Sequence, residues 1–201
     1  MFKNEVVKYG LILFLITATV GFLLSYVNGI TKDRIAEVNE GMAKEARIAV
    51  LGTLAEGADE IEIKTEFANP AIKGVWEYSK NGKPLAYAVN TVTTGYKPGI
   101  NMMVGVDMTQ KVKGVSIISF NETPGLGTKA QDKTFLEQFI KKELGISIKK
   151  SGTPDATEVQ AISGATKTTQ AVTDGVNAAL EEVKVIIEKE VPQNENQTDM
   201  E

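Results

Sequence analysis

Cysteine and histidine are both absent from the 201 residues of this chain. Without cysteine there can be no disulfide, no thiolate for an iron–sulfur cluster, no c-type haem attachment and no thiol nucleophile. Without histidine the chain lacks the usual ligand of zinc, copper and haem iron, and the side chain most often used as a general acid or base. We therefore expect no metal site and no catalytic triad, so any redox chemistry would depend on an organic cofactor.

An excess of positive charge is also missing. Lys and Arg together number 22 and Asp and Glu 26, which gives a formal net charge of −4. Domains that bind nucleic acid usually carry a basic patch, so we expect no nucleic-acid partner. The length suits one domain of ordinary size with an appendage.

The longest stretch without charge covers residues 9–31 and is mostly apolar. A helix needs about 20 residues to cross a bilayer, so this stretch predicts a single transmembrane helix. The alternative is a cleaved signal peptide, which has a shorter apolar core and a small-residue cleavage site. The length of the run and the lack of an A-x-A signal favour an uncleaved anchor.

The charges around this helix bias its orientation only weakly. Lys3 and Lys8 precede it, and Lys32 and Arg34 follow it. Because a short N-terminus is easily kept inside, we expect a cytoplasmic N-terminus over 1–8, a single pass through the cell (inner) membrane, and an extracytoplasmic domain.

Beyond the anchor the pattern predicts an α+β domain, with an antiparallel sheet and packing helices. We expect a helical connector over 32–58, a folded domain over 59–190 and a disordered tail over 191–201. The apolar positions of the connector are Ile35, Val38, Met42, Ala46 and Val50.

Short strands and two further helices are predicted within the domain. Alternation and turn residues predict strands over 61–67, 75–80, 85–93, 100–108 and 112–120, with a hairpin turn at Asn81-Gly82. Helical periodicity predicts a helix over 133–144, with Phe135, Phe139, Ile140 and Leu144 on one side. A last helix runs to about Glu190, with an apolar face of Val172, Val176, Ala179, Val183 and Ile187.

Two loops carry more chemical detail than a plain connection needs. In the loop over 120–132, Pro124 and Gly125 suit a type II turn, while Leu126, Glu122 and Lys129 could meet the face and edge of a flat aromatic ligand. From the residues alone, a ligand loop and a plain turn remain equally open. Tyr96, between two glycines, could offer a ring to the same ligand.

The stretch AISGATKTT, 161–169, opens the last helix. Backbone N–H groups at a helix N-terminus bind anions and phosphates, and Lys167 adds a positive charge. The simpler interpretation is a helix N-cap formed by Ser163 or Thr166, and the residues alone favour it.

Three motifs follow the anchor in a fixed order: GYKPGI, ETPGLG and SGAT. In this combination the chain resembles the FMN-binding domain of membrane redox pumps over roughly residues 5–187. The resemblance is to the RnfG component of the Rnf complex. NqrC, the related component of the sodium-pumping NADH:quinone reductase, is usually longer.

The resemblance implies one FMN per chain, joined through its phosphate to Thr166 as a phosphoester by a separate flavin transferase. It also implies that the ETPGLG loop borders the flavin ring and that Lys129 stabilises negative charge on the reduced ring. The full expected set of FMN-site residues is Thr166, Ser163, Gly164, Ala165, Lys167, Thr168, Glu122, Thr123, Gly125, Leu126, Lys129 and Tyr96.

One position departs from the family's motif. The transferase motif usually has Asp three residues before the Ser, and this chain has Gln160 there, with Asp155 out of register. The change bears on how efficiently FMN would be attached. Thr168 is the other hydroxyl that could accept the phosphate, although the motif favours Thr166.

The implied function is electron relay by covalently bound FMN within an ion-translocating ferredoxin:NAD oxidoreductase complex, with the other subunits and the membrane as partners. NqrC and a stand-alone flavinylated carrier are alternatives of the same class. An anchored, non-redox module that binds a ligand or partner is an alternative of another class. A hydrolase with Ser163 or Thr166 as nucleophile is disfavoured because no base is evident.

Overall fold

The computed structural model describes residues 2–194, with side chains over 5–32, at 34 and over 37–189. The helices are α1 (Phe2–Leu51), α2 (Lys133–Leu136) and α3 (Thr166–Asn194), and 3-10 turns cover Gly52–Ala55, Gly127–Gln131 and Glu137–Phe139. The strands are β1 (Asp59–Glu62), β2 (Ile72–Lys80), β3 (Lys83–Thr94), β4 (Pro98–Asp107), β5 (Val112–Ser119), β6 (Ser147–Lys149) and β7 (Glu158–Gln160).

The chain divides into two compact units, Met1–Met42 and Ala43–Glu201. In the first unit, the segment Glu5–Lys32 of α1 is long and apolar enough to cross a membrane, and its side chains are exposed. This segment contains the predicted span over 9–31.

Helix α1 continues through the predicted connector as far as Leu51, but the apolar face expected there is only partly buried. Val38 and Met42 are exposed, whereas Ala46 and Val50 are buried. The side chain of Ile35 lies outside the described residues. Burial begins only where α1 enters the second unit, because there its last turns pack on the sheet.

Strands β1 to β5 form one antiparallel sheet in sequence order. The predicted hairpin is present: Asn81 and Gly82 have φ values of 54° and 71°, and two residues with positive φ form the turn that suits a two-residue hairpin. β1 is shorter and earlier than the strand predicted over 61–67, since its pairing with β2 covers only Asp59–Glu62.

Both faces of this sheet are covered. Helix α3 packs on one face, where the core contains Tyr87, Val89 and Met102. The last turns of α1 lie against the other face, with Val50 beside Met103 in a second apolar cluster. The central strands are therefore buried on both sides, although in an antiparallel sheet one face is often left to solvent.

A polar cluster lies beside the end of α1. Arg47 Nε is 2.8 Å from Glu60 Oε1, and the Arg47 guanidinium lies 4.3 Å from the ring centre of Trp76. The Tyr78 hydroxyl donates a hydrogen bond to Glu60 Oε2 at 2.8 Å. Burial, followed by the hydrogen bond to Glu60, raises the pKa of Tyr78 to about 12. These contacts hold the helix to β1 and β2.

The helix predicted over 133–144 is wrong beyond Phe139. Phe135 and Phe139 are buried edge to face, with ring centres 5.5 Å apart, but Ile140 and Leu144 are exposed. The α-helix itself ends at Leu136 and the 3-10 turn after it at Phe139; Ile140 is already extended, with a ψ of 134°, and is followed by Lys141 with a φ of 66°. The Lys141 N–H donates to Val112 O at 2.7 Å, so the backbone here extends the start of β5 instead of an i to i−4 ladder.

Helix α3 keeps the predicted apolar face, with Val172, Val176, Ala179 and Val183 buried. It continues through Asn194, into the segment 191–201 that the sequence assigns to a disordered tail. Residues 195–201 lie outside the described residues. A short parallel pair, β6 with β7, precedes the helix and is absent from the sequence-based expectation.

Candidate functional site

A cavity of about 580 Å³ opens at the start of α3. Three chain segments meet there: the turn between β3 and β4, the loop after β5 and the first residues of α3. The cavity is lined by Tyr96, Glu122, Thr123, Leu126, Gly127, Gly164, Ala165, Thr166, Lys167 and Thr168. Its volume falls in the range of about 300–1,000 Å³ that small-molecule sites occupy.

The loop after β5 contains the predicted tight turn. Leu126 N donates to Thr123 O at 3.2 Å, and Gly125 has a φ of 78°, as the third residue of a type II turn requires. This turn leaves the Leu126 side chain 45% exposed at the cavity, while Tyr96 on the neighbouring turn is 68% exposed. Leu126 and Tyr96 thus offer exposed apolar surface at the cavity.

At the start of α3, the N-cap interpretation fails. Neither the Ser163 nor the Thr166 hydroxyl makes a hydrogen bond within the described residues. Instead, Thr169 stabilises this turn: its hydroxyl accepts from Ile162 N at 3.0 Å and donates to Ala165 O at 3.1 Å. Gly164, with a φ of 78°, carries the chain round the bend.

The three threonines of this stretch therefore differ in availability. Thr168 is 1% exposed and donates its hydroxyl to Glu122 Oε2 at 3.1 Å, and Thr169 is fully buried. Thr166 is half-buried, lines the cavity and keeps its hydroxyl without a partner among the described residues. Of the three hydroxyl groups, that of Thr166 is therefore the one available to react with a molecule in this cavity.

Glu122 lines the cavity, where it was expected, but as a buried part of the cavity wall. Its side chain is not a free charge beside the loop: the residue is 7% exposed, and its carboxylate accepts hydrogen bonds from backbone and hydroxyl groups. A Cβ on Gly95 would lie 2.5 Å from Glu122 Oε1, and one on Gly127 would lie 2.6 Å from its Cβ. In the sequence, only the first glycine of GYKPGI and the last glycine of ETPGLG hinted that a side chain packs closely here.

The other expected residues lie at the cavity with three exceptions. Ser163, Gly125 and Lys129 are absent from its lining, and Lys129 lies on the 3-10 turn Gly127–Gln131. Gly127 lines the cavity and was not among the expected residues.

Gln160 belongs to strand β7 and does not line the cavity. Its side-chain amide donates to Lys149 O at 3.1 Å, and its backbone N–H donates to Gln138 Oε1 at 2.7 Å. Asp155 lies before this strand, where hydrogen bonds from the hydroxyl and backbone of Thr157 lower the pKa of its carboxyl. Gln160 thus contributes to the local fold through a donor that an ionised Asp would lack.

The comparison with known proteins identifies this region. The FMN-binding domain family matches residues 95–181. The G component of the Na(+)-translocating ferredoxin:NAD(+) oxidoreductase complex of Acetobacterium woodii is 34% identical over 188 residues, which cover 88% of this chain and 90% of that protein. The chain belongs to the RnfG family. The G component of the proton-translocating complex of Clostridium ljungdahlii is 39% identical over 104 residues, covering 52% of this chain and 56% of that protein.

Solved structures support the same fold. The NqrC component of the Na(+)-translocating NADH-quinone reductase from Parabacteroides distasonis aligns with a TM-score of 0.56 at 20% identity. The alignment covers 75% of this chain and 94% of that one. This RnfG family member thus has the fold of an FMN-binding domain, preceded in the chain by an apolar helix. The apolar helix and the protein's relatives, which are components of ion-translocating complexes, indicate membrane anchoring.

The cavity residues fit FMN. Backbone N–H groups at the start of a long helix favour a phosphate, and Lys167 adds a cation beside them. The Thr166 hydroxyl, without a partner among the described residues, lies at the same end of the cavity. Leu126 and Tyr96 offer apolar surface suited to a flat ring.

Proposed function

We propose that this chain is the membrane-anchored component that carries covalently bound FMN and relays electrons within an ion-translocating ferredoxin:NAD oxidoreductase complex. The observation that carries the proposal is the Thr166 hydroxyl, which has no partner within the described residues and lines a ligand-sized cavity at the first residue of a 29-residue helix. The match to the FMN-binding domain family over 95–181 indicates that the cofactor is FMN.

FMN, when bound, supplies the electron-accepting and electron-donating chemistry. The chain supplies attachment and environment. Thr166 Oγ1 would form the phosphoester bond, made by a flavin transferase, with one FMN per chain and the net loss of one water relative to the free reactants. The N–H groups at the α3 N-terminus and Lys167 would stabilise the phosphate charge, and Leu126 with Tyr96 would contact the ring.

The transferase and the complex also suggest a topology. We place residues 1–8 in the cytoplasm, the stretch 9–31 of the Glu5–Lys32 helix across the cell membrane once, and the FMN-binding domain outside. A covalent bond has a clear use there, because FMN lost from an extracytoplasmic site would diffuse away. The partners are the other subunits of the complex.

RnfG is favoured over NqrC by the sequence comparison. The Acetobacterium woodii relative from the ferredoxin:NAD(+) oxidoreductase complex is 34% identical across 90% of its length, whereas the likeness to NqrC is one of fold, at 20% identity. An anchored binding module without redox function would keep this fold but carry no flavin.

The test is the intact mass of the full chain, purified in detergent from a host that expresses a flavin transferase. We expect the mass of the wild-type chain to rise by that of FMN less one water, and Thr166→Ala to abolish the increase. Thr166→Ser keeps a hydroxyl and is the matched control.

Two results would contradict the proposal. An increase that persists in Thr166→Ala would place the attachment elsewhere. An unmodified wild-type chain, in a host whose transferase modifies another substrate, would favour the module without flavin, and Gln160→Asp would then show whether the departure from the motif is responsible.

A further inference from the structure

Glu122 is a buried carboxylate that joins two separate parts of the cavity wall. Its Oε1 accepts from Tyr96 N at 3.0 Å and from Lys97 N at 3.2 Å. Its Oε2 accepts from the Thr168 hydroxyl at 3.1 Å. The donors lie 26, 25 and 46 residues away in the chain, so one side chain connects the β3–β4 turn to helix α3.

The charge of Glu122 is satisfied by these donors rather than by a cation. Within the described part of the chain, no lysine or arginine forms an ion pair with it. Burying a carboxylate costs free energy unless hydrogen-bond donors compensate it. The three donors therefore have to keep their positions around the Glu122 carboxylate. Two of these hydrogen bonds hold the backbone of residues 96 and 97, from which the exposed Tyr96 side chain extends.

The Glu122 side chain packs closely against glycines on two segments. A Cβ on Gly95 would lie 2.5 Å, and one on Gly127 2.6 Å, from the Glu122 side chain. The side chain is therefore packed between the β3–β4 turn and its own loop, and its hydrogen bonds run to that turn and to α3.

We propose that Glu122 is a positioning residue of the FMN site, which sets the distance and orientation of the Tyr96 turn relative to the start of α3 and so holds the flavin ring contact in register with the phosphate attachment. The inference rests on the proposed function. Its geometric part, the link between the turn and the helix, exists in the chain without any cofactor.

The first arm of the test uses the full-length Thr166→Ala chain in detergent, so that attachment of FMN plays no role. Amide hydrogen exchange of the peptide containing Tyr96 and Lys97 is measured by mass spectrometry. We expect Glu122→Ala to speed exchange there about tenfold or more, while Glu122→Gln retains most of the protection because its carbonyl accepts from the backbone and its amide pairs with Thr168.

The second arm uses the flavinylated chain and measures flavin fluorescence anisotropy. We expect the flavinylated fraction of Glu122→Ala, identified by its mass increase, to show a lower anisotropy, and Glu122→Gln to stay near the wild-type value. Glu181→Ala, which removes an exposed carboxylate from the same helix, is the control and should change neither measurement.

The outcomes separate the two proposals. Unchanged exchange at 96–97 in Glu122→Ala, or faster exchange spread evenly over the domain, would overturn the positioning role. Thr168→Val breaks only the helix side of the link and should also speed exchange at 96–97, so it keeps the test decisive if Glu122→Ala does not fold. A wild-type chain without flavin would refute the proposed function but leave the exchange result valid.

Discussion

Gly105 and Gly114 are positions where a single added methyl group would meet the backbone of α1. They face each other across β4 and β5, directly beneath the end of α1. A Cβ on Gly105 would lie 2.5 Å from the carbonyl oxygen of Val50, and one on Gly114 would lie 2.7 Å from it. The obstacle is backbone, so it cannot rotate away as a side chain would.

The size of the effect follows from this geometry. For an ordinary contact of 3.4 Å, the Gly105→Ala chain must separate helix and sheet by about 0.9 Å. Overpacking of this kind costs about 1–3 kcal/mol, and the lower chain entropy of alanine returns about 0.5–1 kcal/mol. We therefore expect Gly105→Ala and Gly114→Ala each to lower the free energy of unfolding by about 1–2 kcal/mol.

The assay is urea unfolding of the full chain in detergent, followed by the fluorescence of Trp76, the only tryptophan. Because both methyl groups displace the same carbonyl, the double variant should lose less than the sum of the single losses. Gly41→Ala, at an exposed helical position, is the control and should be slightly stabilising. Stabilisation by either strand substitution, or strictly additive losses, would refute the reasoning.

Two further predictions concern titration and redox potential. The fold raises the pKa of Tyr78 from 10.0 to about 12, so the folded chain keeps a proton that the unfolded chain releases, and the free energy of unfolding should fall between pH 10 and 12. The loss is at most about 2.7 kcal/mol before screening by solvent; urea titrations at both pH values should show a smaller fall for Tyr78→Phe, and equal falls would contradict the assignment. Because Lys129 does not line the cavity, Lys129→Ala should leave the flavin midpoint potential unchanged in a potentiometric titration, and a clear fall would count against the proposed site.

The sheet and the last helix could be predicted because their signals are local. Asn81-Gly82 specifies its hairpin through backbone conformation alone, and the apolar positions from Val172 to Val183 specify which face of α3 is buried. The motifs ETPGLG and SGAT also identified most of the cavity lining, since their turns are encoded by adjacent residues.

The remaining features depend on contacts between distant residues. Helical periodicity over 133–144 competes with a backbone pairing to Val112 that no local pattern reveals. The sequence likewise indicates only a charged loop residue at Glu122, since its bonds to residues more than 20 positions away exist only in the fold. The N-cap preference for Ser163 or Thr166 failed because neither hydroxyl bonds to the helix, while Thr169, further along the chain, holds the preceding turn through Ile162 N and Ala165 O.

Strand β1 bears on how copies of this chain behave towards one another. Within residues 2–194 it pairs on one side only, so its other edge presents backbone groups that another strand could pair with, and such an edge is a template for aggregation. Its sequence is DEIE, with carboxylates at Asp59, Glu60 and Glu62. Glu60 is paired with Arg47, but two copies meeting edge to edge would bring the carboxylates of Asp59 and Glu62 together, so the strand discourages self-association.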